Sequence, residues 1–60
     1  MNDAELAKQM AEKIAHIRKT AEELHALAGK EFPAVEKNVD RILASVKMLE
    51  LNVTDVVELT

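Results

Sequence analysis

Between Leu6 and Ala28, apolar residues recur at intervals that alternate three and four: Ala7, Met10, Ile14, Ile17, Ala21, Leu24 and Ala28. Such spacing is the seam of an amphipathic helix of coiled-coil type, and Leu6 and Leu27 widen it. The second half repeats the pattern at Val35, Val39, Ile42, Val46, Leu49 and Val53. The two seams differ in bulk. Alanines in the first permit close approach, whereas β-branched residues in the second fill space and stiffen it.

Punctuation fixes where these helices begin and end. Asn2 is suited to cap the first, with Glu5 three residues on as in a capping box, and Asp3 adds negative charge at the helix N-terminus. Gly29 directly follows Ala28, where a left-handed terminating residue is expected. Lys30, Glu31 and Phe32 connect, and Pro33 suits the first turn of the next helix. The spacing predicts an all-α chain: a helix over about residues 3–28, a turn over 29–33 and a helix over about 34–51. A link this short makes the helices antiparallel neighbours in a single hairpin domain over residues 1–60. Phe32 is expected to plug the turn end of the seam.

Beyond Leu51 the pattern is less regular. Asn52 is expected to close the second helix, with Thr54 capping a short helical tail over 54–59. A continuous helix is one alternative. A strand formed by the valine-rich run and paired with another chain is the other.

Two helices side by side bury one stripe each, too little to offset the entropy of ordering the chain. A second layer is needed, and self-association into a dimeric four-helix bundle supplies it. The expected interface residues are Met10, Ile14, Ile17 and Leu24 on the first helix, with Val39, Ile42, Val46 and Leu49 on the second. Met48 and Leu51 point well away from the second seam and offer a further surface to the tail or to a second chain.

Composition narrows the partners. The 60 residues carry 11 acids and 8 bases, a net charge of −3, and neither half has a basic cluster. Nucleic acid and anionic membrane surfaces are therefore not expected as partners. Phe32 is the only aromatic residue, which argues against base stacking and against an aromatic-lined ligand pocket. There is no cysteine, hence no disulfide framework and no thiol chemistry. That absence, and an N-terminal stretch without the features of a signal peptide, favour a cytoplasmic setting. No apolar stretch approaches the roughly 18 residues of a membrane span.

One stretch suggests chemistry. Glu22-Glu23-Leu24-His25 contains Glu-x-x-His, the spacing by which di-metal carboxylate bundles present two ligands from one helix. A dimer of hairpins would add Glu36 or Asp40 from the second helix. The wheel opposes this. Glu22 falls about 130° from the first seam and His25 about 70°, so neither points inward. The bland reading of Glu22 and His25 is a solvated face and a flank histidine near a helix C-terminus. No metal site and no cofactor is expected. Ala28-Gly29-Lys30-Glu31 lacks the glycine, hydroxyl and preceding strand of a phosphate-binding loop. Ser45 has no histidine near it in the pattern, so nucleophilic catalysis is not expected.

The expected function is a small non-enzymatic protein-interaction module, acting in assembly, adaptor or regulatory roles through itself or another protein. The alternatives are a metal- or ligand-binding bundle using Glu22 and His25, and a small subunit whose core another protein completes.

Overall fold

The computed structural model describes residues 2–59, with side-chain detail through Thr54. Two helices pack against each other as a hairpin: α1 (Asp3–Ala28) and α2 (Pro33–Leu59). The start of α1 is capped from its own sequence. The Glu5 N–H donates to Asn2 Oδ1 at 2.8 Å, and the Leu6 N–H donates to the Asn2 carbonyl at 3.0 Å.

The turn is short because each of its ends is tied to a helix. Gly29 has φ 51° and ψ −145°, backbone space that essentially only glycine occupies, and its N–H donates to the His25 carbonyl at 3.1 Å. The Phe32 N–H then donates to the Ala28 carbonyl at 3.3 Å, while the Phe32 carbonyl accepts from the Glu36 N–H at 3.0 Å. Phe32 thus links the last turn of α1 to the first of α2. Its ring does not plug the seam as expected, since the residue is 59% exposed.

α2 corrects a second expectation. It has no break at Asn52 and no separate tail; the helix runs on through Asn52, Val53 and Thr54 to Leu59. Thr54 does not cap a new turn. Its Oγ1 donates to the Glu50 carbonyl at 2.9 Å, the back-bonding that lets a threonine sit inside a helix. The proposed contacts of the tail fall on side chains beyond Thr54, outside the described residues.

The core is one line of contact. Ala7, Ile14, Ala21 and Ala28 are buried on α1, and Val39 and Val46 on α2, each set at a spacing of seven. Val53 continues the line half-buried. Half of these buried residues are alanine, so little apolar volume is enclosed. The Cα radius of gyration is 14.0 Å, against about 10 Å for a compact domain of this length.

Candidate interaction face

A helix that meets one neighbour buries one stripe. The alternate seam positions lie about 50° to either side of it, and whatever occupies them faces one side of the hairpin or the other. On one side those positions hold Arg18 and His25 from α1, with Glu36, Leu43 and Glu50 from α2, all half-buried. On the other side they hold Met10, Ile17 and Leu24 with Val35, Ile42 and Leu49. The hairpin as a whole is therefore amphipathic across its thickness.

The charged side is held by ion pairs between the helices. Arg18 binds Glu50 through two hydrogen bonds, Nε to Oε2 at 2.7 Å and Nη2 to Oε1 at 2.8 Å. Arg18 Nη1 also lies 3.7 Å from Glu22 Oε2 one turn along α1. His25 Nε2 lies 3.0 Å from Asp40 Oδ1, an ion pair whenever the imidazole is protonated. Both cross-helix pairs have the same geometric origin. Side chains lean toward the N-terminus of their own helix. In an antiparallel pair those leans converge when the α1 member lies nearer the turn, as Arg18 does relative to Glu50 and His25 relative to Asp40. The hydrogen bonds from Arg18 hold the Glu50 carboxyl below the ordinary glutamate value, against partial desolvation, and the positive charges of Arg18 and Lys47 add to the effect. In return, hydrogen bonding to Glu50 raises the Arg18 guanidinium above its ordinary value.

The same contacts settle where the Glu-x-x-His residues go. Glu22 points outward to Arg18, and His25 meets Asp40. Among the described residues, no group of three or more His, Asp or Glu side chains converges as metal ligands would.

The opposite side has no such partners. Met10, Ile17, Leu24, Val35, Ile42 and Leu49 remain between 37% and 45% exposed, although all six belong to the heptad pattern. The heptad residues thus divide between the inside of the hairpin and its surface. Ile14, Val39 and Val46 are buried inside the hairpin, whereas Met10, Ile17, Leu24, Ile42 and Leu49 gather on its surface. Two grooves run along this face. Leu6, Met10, Lys13, Leu49 and Asn52 help to line one. Ile17, Thr20, Leu24 and Ile42 help to line the other. Between Leu6 and Leu27 on α1, and between Val35 and Asn52 on α2, Lys13 is the single charge in the rows that form the face. Met48 and Leu51 lie on the outer side of α2, exposed and away from these grooves.

Among the described residues, no helix is long and apolar enough to cross a membrane. Comparison with protein-family models, with curated proteins and with solved structures gives no significant match.

Proposed function

We propose that this chain is a non-enzymatic protein-interaction module that acts by self-association, two hairpins closing into a four-helix bundle. The observation that carries the reading is the row of six large seam residues left open on one face. Surface area supports it. The hairpin exposes 4852 Å². A compact monomer of 6.7 kDa is expected to expose about 3,900 Å². The excess of roughly 900 Å² is close to what one partner buries in a standard interface. The Cα extents agree, since a 45 by 15 Å face offers roughly 700 Å² per copy, or about 1,400 Å² over two, within the range of specific interfaces.

The test is solution mass by light scattering across a concentration series. Wild type is expected at twice the chain mass in the micromolar range. Ile17→Lys combined with Ile42→Lys places two charges on the face and should weaken association at least ~100-fold, because each charge would be buried unpaired. Met48→Lys, on the outer side of α2, should leave the mass unchanged. A folded wild-type monomer at these concentrations would refute the proposal.

A further inference from the structure

The open face has a near two-fold pattern of its own, and that pattern specifies how a second copy would sit on it. This step rests on the self-association proposed above. Along α1, the residues before Ile17 on this face are Leu6, Met10 and Lys13, and those after it are Thr20, Leu24 and Leu27. Read outward from Ile17 in either direction, the order is one polar residue followed by two large apolar ones. Along α2, Asn38 and Val35 precede Ile42, while Ser45 and Leu49 follow it. Outward from Ile42 the order is again polar, then apolar. Ile17 and Ile42 line the same groove, so the two patterns centre at one level of the hairpin.

We infer that a second copy of this chain docks antiparallel, its turn over the first copy's termini, about a two-fold axis crossing the face at Ile17 and Ile42. An isologous pair brings each patch onto its own image. Rotation about this axis sets Met10 against Leu24 of the second copy, Leu6 against Leu27, and Val35 against Leu49. Lys13 meets Thr20 and Asn38 meets Ser45, so the polar residues also meet one another at the rim. Leu27, 82% exposed in the lone hairpin, gains an apolar neighbour.

The other closed arrangement, with both turns at the same end, matches less well. It places α1 of one copy over α2 of the other at the same level. The row of Leu6, Lys13 and Thr20 then faces the row of Asn52, Ser45 and Asn38. Leu6 lies over an asparagine, and Leu27 reaches the turn without an apolar counterpart in that row.

The two arrangements differ most in the distance between the turns. The experiment is a nitroxide label on Glu31→Cys in the full chain, read by pulsed dipolar spectroscopy, with solution mass recorded on the same sample. Glu31 is exposed in the turn, so the label leaves the face intact. From the level of Ile17 to the turn is fourteen residues, so the antiparallel dimer separates the labels by about 40 Å. A dimeric mass with that separation supports the inference. A dimeric mass with labels closer than about 25 Å overturns the antiparallel arrangement and leaves self-association standing. A monomeric mass with no dipolar coupling overturns both.

Discussion

The carboxylate of Glu50 does two things at once. It neutralises Arg18 between the helices, and through two hydrogen bonds it ties α2 to α1 on that side of the hairpin. Its pKa is lowered on folding, so its contribution to stability is fully present above the ordinary glutamate value and is lost as pH falls through the lower folded value. Glu50→Gln should therefore lower the thermal midpoint at pH 7. The difference from wild type should shrink as the pH is taken below about 4.5 and toward 3. Circular dichroism melts of both proteins over that range check this. A constant difference at every pH would mean that the pair does not act through the charge of Glu50. This pair is also what the sequence does not disclose. Arg18 and Glu50 are 32 residues apart, and no periodicity marks them as partners. His25 and Asp40 are equally remote in pattern, so the Glu-x-x-His spacing draws the eye to Glu22 when the true neighbour of His25 is on the other helix.

At the scale of elements, the bounds of α1 and the start of α2 can be read from Asn2, Gly29 and Pro33, because caps and breakers act locally and their geometry depends on few neighbours. The end of α2 cannot be read in the same way. Asn52 and Thr54 favour caps in isolation, yet Thr54 bonds back to Glu50 and the helix continues past it. The heptads showed which residues belong to a seam, but not which of the alternate positions would close inward. That choice depends on what lies on both flanks of both helices, and Arg18 with Glu50 on one flank leaves the apolar residues to the other. The turn offers a sharp test of the local account. A Cβ at Gly29 would make only an ordinary van der Waals contact, with the Ala26 carbonyl oxygen at 4.0 Å, so any penalty comes from backbone conformation alone. Gly29→Ala should cost roughly 1–3 kcal/mol. Chemical denaturation would show it as a lower midpoint with an unchanged slope. A loss below a few tenths of a kcal/mol would mean the turn relaxes to another conformation.

For the whole molecule, folding and association are expected to be one event. A line of alanines against valines encloses little volume, and Met10, Ile17, Leu24, Val35, Ile42 and Leu49 gather on one face whose rows carry the single charge of Lys13. In the proposed dimer the same two helices serve both purposes: Ile14 and Val46 close the hairpin, while Ile17 and Ile42, one turn away, close the pair. A protein stabilised in this way melts at a temperature that depends on its own concentration, because mass action favours the associated state. For two chains of this size unfolding together, each tenfold increase in concentration should raise the midpoint by about 5 °C. The dependence should be absent in Ile17→Lys with Ile42→Lys, whose midpoint should also be lower than that of wild type at every concentration. Melts from 1 to 100 µM separate the possibilities. A wild-type midpoint independent of concentration, at a mass of one chain, would mean that the narrow Ala–Val line and the Arg18–Glu50 pair suffice to hold the hairpin. The open face would then be surplus to its stability.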